Sequence, residues 1–276
     1  MSLYSLLGTS FVQHAFYAVT AVALAAGAVG YFVVLRRQAF AAHAIGHVGF
    51  AGAAGAVLLG LSPIVGLLVF CLGAGLLIGV GGASLDDRDA VVGVTLTAAL
   101  GLGVLFISLY SGYANATYSI LFGQILGVTW GAVGLVAALS IGVLVVVSLT
   151  YRPLLFVSVD ERSAASRGLS TRGLSLLFMT LLAITTVVAI QIVGVLLVFS
   201  LLVAPAAAAE VLATRPLAAM ALAMLLALVS AWFGLFLGVW IGGPVSFWIT
   251  ALASVAYLGA RVGAMVRARR LMRRVA

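Results

Sequence analysis

His43 and His47 stand four residues apart in the segment LRRQAFAAHAIGHVGFAG. If that segment is helical, the spacing puts both imidazoles on one face. Neutral imidazole nitrogen suits zinc, manganese and iron and is indifferent to alkali ions, so two such rings can grip one divalent transition ion. Alone, either ring would serve equally well as a hydrogen-bond partner for a carbonyl on a neighbouring helix. The pairing, in a stretch otherwise nearly devoid of polar groups, favours a place on an ion path, because an ionisable side chain in hydrocarbon is costly and is normally turned toward a cavity or a partner.

The elements that must position these rings follow from composition. The chain has 276 residues, of which 65% are hydrophobic and 7% charged, too apolar for a core shielded from water. It reads as an integral membrane protein whose backbone crosses the bilayer as helices of about twenty residues each. All fourteen basic residues are arginines, and they serve as markers of the cytoplasmic side. A span from Phe11 to Leu35 ends at Arg36-Arg37, which puts the amino terminus outside. Spans from about Ala39 to Gly60, from Ser62-Pro63 to the DDRD cluster, and on to Tyr110 follow. SGYANATYS then reads as an outer loop, and a fifth span covers about Gly127 to Leu149. The polar stretch with Arg152, Arg162, Arg167 and Arg172 is cytoplasmic, and Leu174 to Thr214 holds two tight spans that turn near Gln191. Two further spans, Leu217 to Trp240 and Pro244 to about Ala264, leave a basic cytoplasmic tail over 265-276. Nine spans satisfy every arginine, and eight remain an alternative. His47 then lies roughly 12 Å up its helix, near the middle of a hydrocarbon layer roughly 30 Å thick.

The net charge of +8 lies along cytoplasmic loops and the tail, so it points to the membrane surface and not to nucleic acid. No basic leader precedes the first apolar run, and that span is expected to direct insertion. Cys71 is the single cysteine, so it reads as a small packed side chain. The pairs Gly75 and Gly79, Gly123 and Gly127, and Gly234 and Gly238 have the spacing that lets membrane helices approach closely.

The region around the histidines resembles the permeases of bacterial zinc and manganese ABC importers. There the first span ends in Leu-Arg-Arg, followed by Gly-Asp-Ala-Leu-Ser-His-Ala and then Pro-Gly. Leu35-Arg36-Arg37, Ala44, His47 and Gly52 fit in register, with His43 at the family's aspartate and Gly46 at its serine. Imidazole in place of carboxylate softens the site toward zinc. A second match is VSVDERSAASRGLS, where Asp160, Ala164 and Gly168 follow the D-x-x-x-A-x-x-x-G spacing of the family's coupling helix, here about 158-170. Asp160 can cap such a helix and Gly168 can end it. A third is IVGVLLVFSLLVAPAAAAEVLA, in which Gly194 and Pro205-Ala206-Ala207 fit and Ala208 replaces the usual threonine. Pro205 bends a span and frees carbonyls. Glu210 offers either an exit ligand or a partner for Arg215. Phe122-Gly123 fits as well, with Gln124 beside it as a weak pathway ligand.

The resemblance implies one all-α transmembrane permease domain over 1-276, of the type II-like importer class, with eight or nine spans. It implies a homodimer in a bacterial inner or plasma membrane, two ATP-binding cassette subunits below it and an extracytoplasmic metal-binding protein above. No permanently bound cofactor is expected, only a transported zinc or manganese ion. The chain has no lysine and hence no phosphate-cradling G-x-x-x-x-G-K-[ST] loop, so it is not expected to be an enzyme. The alternatives are an ABC permease for a metal chelate such as haem, siderophore or cobalamin, and a proton-driven secondary transporter. An intramembrane metalloenzyme lacks its H-E-x-x-H pattern here.

Overall fold

In a computed structural model, residues 10–81, 85–110, 123 and 125–275 are described, and among them the chain is helical with no strand. The helices are α1 (Ser10–Leu35), α2 (Ala39–Leu58), α3 (Pro63–Gly81), α4 (Leu85–Leu109), α5 (Trp130–Val159) and α6 (Glu161–Ser166). They continue as α7 (Thr171–Val193), α8 (Val195–Leu212), α9 (Pro216–Trp240) and α10 (Val245–Val275), with a short 3-10 turn at Ile125–Gly127. Eight of them are long and apolar enough to cross a membrane, α6 and α8 being the exceptions. α8 has 18 residues and is therefore about 27 Å long, slightly less than a hydrocarbon layer of about 30 Å. The chain is a polytopic membrane bundle.

α1 runs through the middle, against α5, α7, α8 and α9, while α2 packs on α3, α4, α7 and α8. What lets them pack is missing side-chain volume. A Cβ added to Gly30 of α1 would lie 2.0 Å from the Leu202 carbonyl oxygen of α8, and one on Gly27 would lie 2.5 Å from Met224 Cα of α9. Gly52 of α2 and Gly66 of α3 face each other so closely that a Cβ on either would lie 2.2 or 1.9 Å from the other's carbonyl oxygen. Gly75 and Gly79 meet Met179 and Leu176 of α7, and Gly234 and Gly238 meet Ile249 and Val245 of α10, which is the close approach their spacing predicts. Cys71 is fully buried and its thiol donates to the Ile45 carbonyl at 3.5 Å.

The turns are short and hydrogen-bonded. After α1, Gln38 N–H reaches the Val33 carbonyl and Arg37 N–H the Val34 carbonyl, a Schellman closure in which Arg37 takes the left-handed conformation at φ 55°. Between α7 and α8 a single residue, Gly194, makes the turn at φ 90° and ψ 162°, a region open to glycine alone.

Three elements differ from the sequence reading. α5 does not stop near Leu149 but runs through Arg152 and Pro153 to Val159, because Leu154 and Val157 are buried and pull the last two turns onto the bundle. Pro153 removes only the bond to the Leu149 carbonyl, which the exposure of Leu149 leaves open to solvation. The turn expected near Gln191 is at Gly194. The arginines of the expected tail continue α10 as helix, since no proline interrupts the stretch and alanine, arginine, leucine and methionine favour helix. The SGYANATYS loop lies outside the described residues.

Gly30→Ala must push α1 away from α8, and it is expected to lower stability by about 1–3 kcal/mol, read as a fall in the thermal midpoint in detergent. The control Gly142→Ala, on α5 with open space around its Cβ position, should leave stability unchanged or raise it by up to about 1 kcal/mol.

Candidate functional site

α2 carries His43 and His47 one turn apart, with ring centroids 4.5 Å from each other and planes at 72°. The helix is mostly alanine and glycine elsewhere, and those small residues are buried. The two imidazoles are only half-buried, so they point away from the tightest packing of the chain. The His43 ring stands edge-on to Phe199 of α8 at 5.2 Å, and Gly46 between the histidines leaves room for Val198 of the same helix. The pair therefore sits at the α2–α8 seam. It offers two nitrogen donors on one face. Among the described residues no third histidine, cysteine, aspartate or glutamate joins them to complete a metal cluster. A transition ion held here takes its other ligands from carbonyls, water or a second chain.

The other predicted residues are distributed around this seam. Gly52 lies one turn beyond His47 on α2, at the backbone contact with α3. Gly194 and Pro205 shape α8: the first starts it abruptly, and the second stands within it, three residues after the Leu202 carbonyl that presses on Gly30. Glu210 is exposed near the end of α8 and forms no ion pair with Arg215, because Ala213 and Arg215 are both extended and carry the chain away. Gln124 and Phe122 lie outside the described residues.

Asp160, Ala164 and Gly168 come together as a capped unit. Asp160 ends α5 and begins α6, its carboxylate accepting from the Ser163 N–H at 3.0 Å and from the Ser163 hydroxyl. Gly168, at φ 80°, closes the other end with Leu169 N–H on the Ala164 carbonyl and Gly168 N–H on the Ala165 carbonyl. Ala164 is the buried anchor, Arg167 lies over the Phe156 ring of α5 at 5.2 Å, and residues 161–163 and 165–168 face outward. The helix itself is Glu161–Ser166, inside the expected 158-170 segment.

Two features escaped sequence reasoning. His14 of α1 donates through Nδ1 to the Val128 carbonyl at 3.1 Å, and its ring meets that of Trp130 at 4.2 Å with a tilt of 54°, tying the start of α1 to the start of α5. A histidine in the first turn of an apolar span is the signal that was available. At that same end, opposite Arg36, a cavity of ≈ 280 Å³ lies among Ser62, Leu67, Thr129, Ala132 and Gln191.

The two Ser163 hydrogen bonds hold the Asp160 carboxyl below its ordinary value. The cap is therefore complete above the ordinary carboxylate range and is lost as pH falls through the lowered folded value. Protection of the Ser163 amide relative to its intrinsic exchange rate should persist through the ordinary range and be lost only below it. Asp160→Ala should lack that protection at every pH.

The sequence profile of the ABC 3 transport family matches residues 8–264. The manganese import system permease protein ScaB of Streptococcus parasanguinis is 34% identical over 160 residues, 58% of this chain and 57% of ScaB. The manganese transport system membrane protein MntC of Halalkalibacterium halodurans is 32% identical over 165 residues, 59% of this chain and 56% of MntC. Each alignment thus spans little more than half of its relative. The solved structure of PsaBC from Streptococcus pneumoniae in complex with Fab superposes with a TM-score of 0.83 at 28% identity, covering 94% of this chain and 93% of that one.

Proposed function

The chain belongs to the ABC 3 transport family, and on that premise we propose that it is the membrane permease of an ATP-driven importer of divalent transition-metal ions, manganese or zinc. The observation that carries this reading is the His43–His47 pair, half-buried one turn apart in a helix otherwise wholly apolar and mostly alanine and glycine. Lipid gives two imidazoles no partner, so their retention there has a cost that ion passage explains. The relatives named above are manganese permeases, and His43 stands where the family has aspartate. Manganese prefers carboxylate oxygen, whereas imidazole suits zinc, so this substitution tilts the site toward zinc.

In this mechanism the arginine-marked end is cytoplasmic and the amino terminus is outside. The ion arrives from an extracytoplasmic binding protein at the outer end, near the cavity around Gln191. It exchanges some of its water for His47 and then His43, and leaves past α8, where Glu210 offers a carboxylate at the inner end. ATP is hydrolysed in two separate cassette subunits. Their motion enters through α6, which presents an outward face for docking while Ala164 holds it to the bundle. A homodimer would set two α2–α8 seams beside one conduit and supply the remaining ligands.

In cells carrying the complete transport system, His47→Ala should lower accumulation of radioactive manganese and zinc by at least about tenfold, as loss of a metal-site contact does, with the chain still present in the membrane. Accumulation at the unsubstituted level would refute the assignment. His43→Asp should raise manganese uptake relative to zinc, and an unchanged ratio would remove the role given to that position.

A further inference from the structure

We infer that Arg36 is a positioning residue that carries displacement of α6 to the histidine-bearing helix α2, an inference that rests on the transport reading above. The connection can be traced without a slack segment. α6 is joined to α7 through four residues: Gly168 closes one helix and Ser170 caps the next by accepting from the Gly173 N–H at 3.2 Å. The first turns of α7 must therefore follow α6. Ser175 and Phe178, three residues apart and both buried, form one face of those turns. Arg36 reaches both, with Nη2 donating to the Ser175 hydroxyl oxygen at 3.4 Å and Cζ 4.8 Å from the Phe178 ring centre. A planar, permanently charged group can make both contacts at once, and a lysine cannot.

Arg36 ends α1 in the Schellman closure, and α2 begins three residues later at Ala39. Arg37 holds the left-handed position that glycine usually takes. This turn is tightly bonded, so a pull on Arg36 moves the start of α2. Farther along, α2 is held a second time. A Cβ on Gly49 would lie 2.7 Å from Cys71 Sγ of α3 and 3.2 Å from Ile190 Cδ1 of α7, a contact just beyond His47. The histidines thus lie between a grip at Arg36 and a pivot at Gly49. Movement of the α7 base tilts α2 about that pivot and displaces His43, the farther of the two, more than His47.

The test uses the full chain assembled with its ATPase subunits in lipid vesicles, with binding protein and manganese supplied, and measures uptake and ATP hydrolysis together. Arg36→Gln should reduce ions moved per ATP by about tenfold while the half-saturating manganese concentration and the hydrolysis rate stay within about twofold, the signature of a lost motion as opposed to a lost binding site. Arg36→Lys should restore part of the coupling, and Phe178→Leu should lose part of it. Unchanged coupling in Arg36→Gln overturns the inference, as does an equal fall in coupling, affinity and hydrolysis, which marks a merely structural contact. If Arg36→Gln does not assemble, Ser175→Ala and Phe178→Leu decide: reduced coupling in either supports the link, and wild-type coupling in both overturns it. A wild-type complex that moves neither manganese nor zinc under ATP refutes the transport reading itself, and so is distinct from failure of the Arg36 link alone.

Discussion

Helices in hydrocarbon gain nothing by hiding apolar surface from a solvent that is itself apolar, so they hold together only where their backbones come near enough for dispersion and weak polar contacts to act. Every other property of this bundle depends on that constraint. Gly27 and Gly30 seat α1 against α9 and α8, and the Gly52–Gly66 contact seats α2 against α3. Bulk at any of these points forces helices apart. The histidine-bearing helix is itself built from alanine and glycine, so its position is fixed by close backbone packing on several neighbours.

That economy of volume explains how two polar rings are accommodated. Most other positions of α2 are alanine or glycine, and Val198 of α8 lies beside Gly46. Phe199 then offers an aromatic edge to His43.

Much of this was legible in the sequence because it is local. The i, i+4 spacing of His43 and His47, the Asp160 cap and the Gly168 stop each depend on residues within one or two turns, and Arg36, Arg37 and Arg215 marked helix ends. What was illegible depends on distance along the chain or on burial. The partner of His14 is 114 residues away, and that of Arg36 is 139 away, so no window reveals them. The end of α5 was misplaced because the charge of Arg152 reads as the end of a span and Pro153 as a breaker, signals that the burial of Leu154 and Val157 overrides. Of the two readings of Glu210, the ion pair with Arg215 is absent for a similar reason, since proximity in sequence did not survive two extended residues.

The sole thiol of the chain is sealed between α2, α3 and α7, with its hydrogen engaged by a carbonyl. Water-borne oxidants and alkylating reagents have no approach to it. The wild-type molecule is in effect chemically silent toward sulfhydryl probes. Reporter cysteines can be introduced one at a time against a dark background, without first engineering the native one away.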